Sequence, residues 1–276
     1  MNVKSNDSDQ KHLPFGEAGR GLSIIKIGGN VIGNPEALST FLKRFSKMEG
    51  HKILVHGGGK KASEVLKEMG IAPKMVGGRR ITDYKTLEVV TMVYGGLTNK
   101  NIVAQLQANN CNSIGLSGAD GNTIRAHKRP VRDIDYGFAG DVNGIDPKII
   151  SQLLHAGLTP VFCALTHDGQ GQLLNTNADT IASEVAIGMS KEYETTLYYC
   201  FEKKGVLRDI DDEDSVIQQI DSKSYKDLLA AKIIADGMLP KMENCFHALR
   251  NKVQKVCIGD ITMITPDQTQ FTTLTL

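Results

Sequence analysis

Two glycine pairs stand at the ends of two apolar segments in the first sixty residues. Gly28 and Gly29 follow the first segment, and Gly57 and Gly58 follow the second. Glycine at a strand-to-helix turn lets backbone N–H groups approach an anion closely, while the next helix presents its positive end. A single Gly-Gly pair after a strand is explained by a tight strand-to-helix turn and does not require a ligand. Because two such turns after consecutive parallel strands meet at the carboxyl edge of a sheet, where open sheets bind ligands, the pattern predicts an anion site.

Two lysines occupy positions where a positive charge is unfavourable without a partner. Lys26 lies within an apolar strand, two residues before the first glycine pair. Burying an ammonium group is costly unless it meets an anion, although its stem can pack while its head reaches the strand end. Lys241 falls in the first turn of a predicted helix, the end that disfavours cations. An anionic ligand near both lysines explains them better than packing alone.

A second group of polar residues precedes predicted helices. Asn177 can cap the helix that begins near residue 178, and Asp179 suits its first turn. Capping does not explain Asn175. Arg80 follows a glycine pair, a place suited to bidentate binding of a carboxylate, but a surface arginine is as common.

Several kinds of site lack a matching motif in the sequence. Neither the GxxxxGK[ST] pattern nor GxGxxG occurs, and no Ser-His-Asp set, HExxH motif or paired-carboxylate motif is evident. His56, at a strand end, is expected to pack or hydrogen-bond rather than to catalyse. The five cysteines, at positions 111, 163, 200, 245 and 257, include no CxxC pair, which predicts reduced, mostly buried thiols and no zinc site.

Composition sets further limits on function. The chain has 276 residues, of which 41% are hydrophobic and 23% charged, so it can bury a sizeable core. Its net charge of +1 gives no strong global field for nucleic acid or an anionic membrane. No apolar run approaches the ~18 residues of a membrane-spanning helix, and the first twenty residues contain no signal-peptide core. We therefore expect a cytoplasmic protein.

The elements that must position these residues alternate between strand and helix. This order predicts an α/β fold with a mainly parallel sheet between helical layers. We expect hairpins over the sheet edge between residues 118 and 144, and a lobe boundary near residue 190 within one continuous sheet. The expected strands are 22–27, 52–55, 113–116, 159–165, 195–200 and a last one near 256. The expected helices include 83–107, 224–235 and 240–251.

Several motifs, taken in order, resemble those of the amino acid kinase superfamily. The similarity extends from about residue 22 to 257 and includes IIKIGGN, VHGGGK, GLSGADG, LLNTNADTIA and DGMLPKMENCFHAL. The Lys-x-Gly-Gly start and the Asn-Ala-Asp element are shared across the superfamily. The combination of HGGG with RITD, TLEVV and NK is characteristic of its acetylglutamate branch.

The resemblance implies a three-layer αβα sandwich built from two lobes on one continuous sheet. Residues 21–190 would bind an N-acylglutamate and form a homodimer, and residues 191–276 would bind ATP. Lys26 and Lys241 would stabilise charge on the transferring phosphoryl group, while Asp179 orients both lysines. Residues 1–20 are expected to form a flexible arm.

The resemblance also implies which residues contact the two substrates. Phosphate contacts would come from Gly28, Gly29 and Gly205. Backbone donors around the reacting carboxylate, and side chains that hold the α-carboxylate and N-acyl amide, would come from Gly57, Gly58, Arg80 and Asn175.

The implied reaction is ATP-dependent phosphorylation of the side-chain carboxylate of N-acetyl-L-glutamate, or of a related N-acylglutamate, in arginine biosynthesis. Such a carboxylate has a reference pKa of ~4.3, so it attacks as an anion and needs no general base. Lysines, helix N-termini, glycine amides and nucleotide-borne Mg²⁺ can bring this anion to a polyphosphate. No metal ligand from protein side chains and no tightly bound cofactor are expected.

Some segments depart from the family pattern and leave alternatives open. A Thr-Asp-Val-like stretch is replaced by the segment 200–204, which leaves the nucleotide preference open, and the end of the chain, 258–276, is divergent. The alternatives are a catalytically inactive N-acylglutamate-binding regulatory protein and another kinase of the superfamily. Since residues 1–20 show no amphipathic repeat, we expect a homodimer that contacts through the 83–107 helix and is insensitive to arginine.

Overall fold

A computed structural model describes residues 21–234, 238–265 and 268–276. The predicted arm 1–20 and the Asp236-Gly237 part of the DGMLPK motif lie outside the described residues. The strands are β1 Gly21–Ile27, β2 His51–His56, β3 Met75–Val76, β4 Arg79–Arg80, β5 Ser113–Leu116, β6 Ile124–Lys128, β7 Ala139–Ile145, β8 Thr159–Phe162, β9 Leu165–His167, β10 Leu173–Thr176, β11 Glu194–Cys200, β12 Gln219–Ile220, β13 Lys255–Gly259 and β14 Thr272–Leu274. The helices are α1 Gly29–Ile32, α2 Pro35–Lys47, α3 Gly59–Glu68, α4 Tyr84–Val90, α5 Asn99–Ala108, α6 Pro147–His155, α7 Ala178–Met189, α8 Ser222–Ala230 and α9 Leu239–Arg250, with a π-helix at Thr91–Thr98 and a 3₁₀ turn at Asp120–Asn122.

One eight-stranded sheet forms the centre of the molecule. Its order is β12-β14-β13-β11-β1-β2-β8-β5, and all neighbouring strands are parallel except β13 and β14. β1 pairs with β2 on one side and with β11 on the other, so the strand order changes direction at β1. Ligands of open parallel sheets bind at the carboxyl edge next to such a point. The predicted mainly parallel sheet is confirmed.

Alternating side chains of β1 separate the two helical layers. Ile24 packs with α6, α7 and α9 on one face, whereas Ile25 packs with α2 and α5 on the other. Both isoleucines are fully buried because helices cover both faces of the parallel sheet. These three layers confirm the αβα sandwich.

The region between residues 113 and 176 differs from its prediction in two ways. β6 and β7 form the expected antiparallel pair, and with β9 and β10 they close a small barrel that the sequence did not indicate. The predicted strand 159–165 is two strands, since β8 ends at Phe162 in the main sheet and β9 starts at Leu165 in the barrel. Leu165 leaves the main sheet because it pairs with Asn175 of β10.

The predicted helix 83–107 is continuous but not uniformly α-helical. Its central part, Thr91–Thr98, is a π-helix that contains Gly95 and Gly96. Glycine weakens the α-helical preference of this stretch, and π turns inside helices occur often at functional sites.

The end of the chain adds strands that the sequence did not indicate. β13, predicted as the last strand near residue 256, is followed by β14, which pairs with both β12 and β13. The predicted helix 224–235 is shorter and ends at Ala230.

All five cysteines are buried and form no disulfide. Within the described ranges, no helix is both long and apolar enough to span a membrane.

Candidate active site

Two cavities border the start of α7 at the carboxyl edge of the sheet. The larger cavity, of about 750 Å³, is lined by Asp179 together with residues at or after the carboxyl ends of β1, β11 and β13. The smaller cavity, of about 180 Å³, is lined by Asn177 and Ala178 and by residues that follow β2. Asn177 caps α7 by accepting hydrogen bonds from the backbone N–H groups of residues 179 and 180, at 2.8 and 3.1 Å. The predicted cap is therefore confirmed, and it places the positive end of α7 between the cavities.

Lys26 and Asp179 form an ion pair in the larger cavity. The Lys26 ammonium lies 2.7 Å from the Asp179 carboxylate, and the two side chains are 9% and 18% exposed. The pair joins the end of β1 to the first turn of α7. Because neither charge is well hydrated, each depends on the other and on any ligand that enters the cavity.

Lys241, in the first turn of α9, lies in the same cavity. Its ammonium is 4.0 Å from the centroid of the Phe201 ring, and the Lys26 ammonium is 5.6 Å from the same centroid. Burial lowers the pKa of Lys241; Asp179 opposes this change and Lys26 adds to it. The structure thus places two ammonium groups and one carboxylate around one aromatic ring.

The predicted phosphate-binding glycines line the larger cavity. Gly28 has ordinary backbone angles, with φ −93° and ψ 175°, so its turn does not itself require glycine. A Cβ there would lie 3.6 Å from the Lys26 ammonium, an ordinary contact. Gly205 differs, since a Cβ would lie 2.7 Å from the Thr272 hydroxyl and packing alone excludes a side chain.

The smaller cavity contains all four residues predicted to bind the acyl-amino acid. Its lining includes Gly57, Gly58, Arg80 and Asn175. Gly57 and Gly58 do not adopt the left-handed conformation that favours glycine. A Cβ on Gly58 would lie 2.6 Å from a ring carbon of Tyr94, so the absence of a side chain here serves a close approach.

Arg80 is a buried residue, only 7% exposed, and not a surface arginine. Its Nη2 donates to the Gly59 carbonyl at 2.9 Å and to the Ser63 hydroxyl at 2.7 Å. Its Nη1 is buried and has no hydrogen-bond partner in the described part of the chain. An unsatisfied guanidinium nitrogen in a cavity wall is suited to a carboxylate ligand.

Asn175 is held by a short hydrogen-bond chain across the cavity. Its side-chain amide donates to the Thr82 hydroxyl at 2.9 Å, and this hydroxyl donates to the Arg80 carbonyl at 3.0 Å. The chain connects β10 with the segment that carries Arg80. Asn175 therefore connects two segments of the protein, whereas Asn177 caps α7.

Sequence reasoning missed two aromatic residues of this region. Phe201 lies over both lysines, and Tyr94 packs on Gly58. Phe201 lies in the segment 200–204, which departs from the family pattern. That departure marks the segment as unusual but does not indicate a role for the phenylalanine. Tyr94 lies near a glycine pair inside a predicted helix, and nothing local distinguishes it from a core residue.

The sequence model of the Amino acid kinase family matches residues 21–260. The chain belongs to this family.

Similar proteins agree with this family assignment. Acetylglutamate kinase of Cytophaga hutchinsonii is 56% identical over 238 residues, which are 86% of this chain and 90% of that protein. Acetylglutamate kinase of Bacteroides fragilis is 54% identical over 237 residues, which are 86% of this chain and 91% of that protein. The resemblance to the acetylglutamate branch, inferred from the motifs, is confirmed.

A solved structure supports the fold at low sequence identity. N-acetylglutamate synthase from Neisseria gonorrhoeae, complexed with coenzyme A and N-acetyl-glutamate, superposes with a TM-score of 0.79 at 19% identity. The match covers 94% of this chain and 60% of that chain. At this identity, the similarity shows that the two chains share the amino acid kinase fold.

Proposed function

We propose that this protein transfers the γ-phosphoryl group of ATP to the side-chain carboxylate of N-acetyl-L-glutamate, or of a related N-acylglutamate. The product is an acyl phosphate, and the step belongs to arginine biosynthesis. The observation that carries the proposal is the position of the two cavities, which border one helix start with the Lys26–Asp179 pair beside it. The high identity to acetylglutamate kinases supports the same reaction.

The larger cavity fits the nucleotide and the charge that develops during transfer. Its volume of about 750 Å³ falls in the range of small-molecule sites. Lys26 and Lys241 would stabilise negative charge on the transferring phosphoryl oxygens, with Asp179 orienting them, while Gly28 and Gly29 offer backbone donors. Mg²⁺ would arrive bound to ATP as part of the substrate and neutralise phosphate charge.

The smaller cavity fits the acceptor. Arg80 has a free guanidinium nitrogen for the α-carboxylate, and Asn175 is placed for the N-acyl amide. Backbone donors of Gly57 and Gly58 would orient the side-chain carboxylate toward the larger cavity. That carboxylate is ionised near neutral pH, so the reaction needs positioning and charge stabilisation rather than a base.

The predicted division into lobes is part of the proposal. Every residue that lines the smaller cavity lies between residues 57 and 178, which supports acceptor binding by the 21–190 lobe. The larger cavity is lined mainly by residues after 199, which supports nucleotide binding by the 191–276 lobe. Both lobes contribute to one sheet across the β1–β11 pairing.

Assembly and location are further parts of the proposal. A homodimer would bury exposed apolar side chains of the α4–π–α5 stretch, since Tyr84, Met92 and Leu97 are 62%, 55% and 47% exposed. We expect a cytoplasmic enzyme that arginine does not inhibit. Light scattering tests the dimer, and a hexamer would contradict it.

The alternative of an inactive regulatory protein is less well supported. A binding protein needs the smaller cavity but has no use for two ammonium groups beside a carboxylate in a second cavity. Lys26, Asp179 and Lys241 are all present and close together. Another kinase of the superfamily is disfavoured by the relatives at 54–56% identity.

The test is ADP release from Mg-ATP with N-acetylglutamate, N-succinylglutamate, glutamate, carbamate and UMP as acceptors. We expect turnover only with N-acylated glutamates, and the better acyl group defines the substrate. Turnover with carbamate or UMP alone would indicate another kinase of the family. A melting temperature raised by N-acetylglutamate without any turnover would favour the regulatory protein.

A further inference from the structure

We propose that the π-helix Thr91–Thr98 and the adjoining start of α5 position the Gly57–Gly58 loop through two contacts, with Asn99 acting through His56 on Gly57 and Tyr94 packed on Gly58. Tyr94 also lines the smaller cavity, but the proposed phosphoryl transfer assigns no role to any of these three side chains. The inference rests on the proposed function, because it assigns the loop to the acceptor carboxylate. Tyr94, His56 and Asn99 are positioning residues.

The first contact runs through a buried histidine. His56 is fully buried at the end of β2, with its Nδ1 2.6 Å from the Gly57 carbonyl and its Nε2 3.0 Å from the Asn99 side-chain nitrogen. The Asn99 amide nitrogen can only donate, so Nε2 accepts and the Nδ1–H group donates to Gly57. The pKa of His56 is lowered to about 4, mainly by burial; the Gly57 hydrogen bond opposes this change and the charge of Lys100 adds to it. The ring is therefore neutral near pH 7 and keeps one tautomer.

This hydrogen bond fixes the peptide plane between Gly57 and Gly58. A trans peptide directs its C=O and N–H groups to opposite sides. Holding the Gly57 carbonyl at the His56 ring therefore sends the Gly58 N–H group away from it. The Gly58 N–H group is one of the donors that the proposed function assigns to the acceptor carboxylate.

Asn99 is held as firmly as the histidine. It is 1% exposed, and its side-chain nitrogen also donates to the Val161 carbonyl of β8 at 2.9 Å. Its Oδ1 accepts from the Lys100 ammonium at 3.2 Å. A Cβ on Gly115 would lie 1.9 Å from this oxygen, so β5 carries glycine where the amide needs space. The hydrogen bond to β8 and the close packing against β5 therefore hold the Asn99 amide in one position, from which it donates to His56.

The second contact is the Tyr94 ring. Tyr94 is 4% exposed, and two of its ring carbons would lie 2.6 and 2.9 Å from a Cβ on Gly58. At the other end of the ring, the hydroxyl lies 3.9 Å from the Cβ position of Gly59. Burial raises the pKa of Tyr94, and the nearby Arg80 guanidinium opposes this change. The ring therefore limits where Gly58 can move and contacts the residues around the Arg80 guanidinium.

The π-helix is what allows both contacts to come from one helical stretch. The backbone N–H of Asn99 donates to the Tyr94 carbonyl five residues earlier. In an α-helix of 3.6 residues per turn, residues five apart are separated by about 140° around the axis. The wider turn brings Tyr94 and Asn99 to the same loop.

The test compares Asn99→Asp with Asn101→Asp, the same substitution at an exposed position of α5. Aspartate cannot donate to His56, so we expect kcat/KM for N-acetylglutamate to fall about 10- to 100-fold, as a displacement of about 1 Å can cause. KM for Mg-ATP should stay within about twofold of the parent value. The control variant should match the parent in both constants.

Asn99→Asp that keeps its melting temperature and parental kinetics would overturn the proposal, as would an equal rise of both KM values. Should that variant not fold, Tyr94→Leu decides, because it keeps apolar volume but removes the flat ring from Gly58. We expect the same selective loss with N-acetylglutamate, and parental constants for Tyr94→Leu would overturn the proposal. If the parent protein shows no turnover, the proposed function fails, whereas the shift in melting temperature caused by N-acetylglutamate still compares the variants.

Discussion

The glycine turns that follow β1 and β2 lie side by side and have similar local sequences, yet their surroundings differ. A Cβ at Gly28 would lie 3.6 Å from the Lys26 ammonium, whereas one at Gly57 would lie 3.9 Å from the Ala178 methyl group. The first turn lies beside a lysine ammonium, whereas the second lies beside uncharged side chains and the Arg80 guanidinium. We infer that the two glycine turns provide similar backbone donors and that the neighbouring side chains determine which anion each turn would bind.

The side chains around each turn follow the shape of the anion that we propose for it. A phosphoryl group in transfer carries negative charge on several oxygens, and two separate ammonium groups can contact different ones of these oxygens. A carboxylate is planar and suits the fixed fork of a guanidinium, such as that of Arg80. Accordingly, Lys26 and Lys241 lie in the larger cavity, whereas the smaller one contains Arg80, which is held by hydrogen bonds to Gly59 and Ser63.

Removing charge from the larger cavity should have the largest effect. We expect Lys26→Ala and Lys241→Ala each to lower kcat by about 100- to 1,000-fold, as the loss of one group that stabilises transition-state charge does. Lys61→Ala is the control, since that ammonium is exposed and pairs only with Glu64 in the described structure. Steady-state kinetics with a melting curve for each variant makes the measurement. Near-parental turnover in Lys26→Ala or Lys241→Ala would remove that lysine from the mechanism.

Changing the shape of the cation in the smaller cavity should have an intermediate effect. Lysine at position 80 keeps the charge but loses the fork, so Arg80→Lys should raise KM for N-acetylglutamate about 10-fold or more. KM for Mg-ATP should not change. Arg250→Lys, at the far end of α9, serves as the control. An Arg80→Lys variant with parental KM for the acceptor would show that the two turns are not distinguished by guanidinium geometry.

The smallest effect concerns pH, because only the second turn is tied to a buried histidine. The unfolded chain binds a proton at His56 below about pH 6.5, whereas the folded protein binds it near pH 4. Stability therefore falls as the pH drops through this window, by about 1 kcal/mol from pH 7 to 5.5 for this residue. Urea unfolding at both pH values should show a smaller fall in His56→Gln than in the parent. Equal falls would mean that His56 titrates normally.

Features that depend on local chemistry were predictable from the sequence. The cost of burying Lys26 in an apolar strand and the capping pattern around Asn177 are properties of a few neighbouring residues. Both glycine turns and the parallel strands that bring them together follow from the same local patterns. The four residues of the smaller cavity came from motif resemblance, and the structure brings them to one cavity.

Features set by distant contacts were not predictable. Residues 160–165 form an uninterrupted apolar run, and the pairing of Leu165 with Asn175 places the end of this run in a separate strand. The π-helix depends on packing of Tyr94 and Asn99 against strands elsewhere in the chain. Phe201 follows a strand end, but the lysines around its ring come from two separate parts of the sequence.

The central claim, that the two turns bind different anions, is tested most directly by Gly28→Ala and Gly57→Ala. Neither position has a left-handed backbone, and each added methyl group would make only ordinary contacts with the protein. We would measure the affinities of both variants for a non-hydrolysable Mg-ATP analogue and for N-acetylglutamate by calorimetry. We predict that Gly28→Ala weakens only the nucleotide and Gly57→Ala only N-acetylglutamate, each about tenfold, or about 1.4 kcal/mol. Both variants weakening the same ligand, or each weakening both ligands equally, would contradict the assignment.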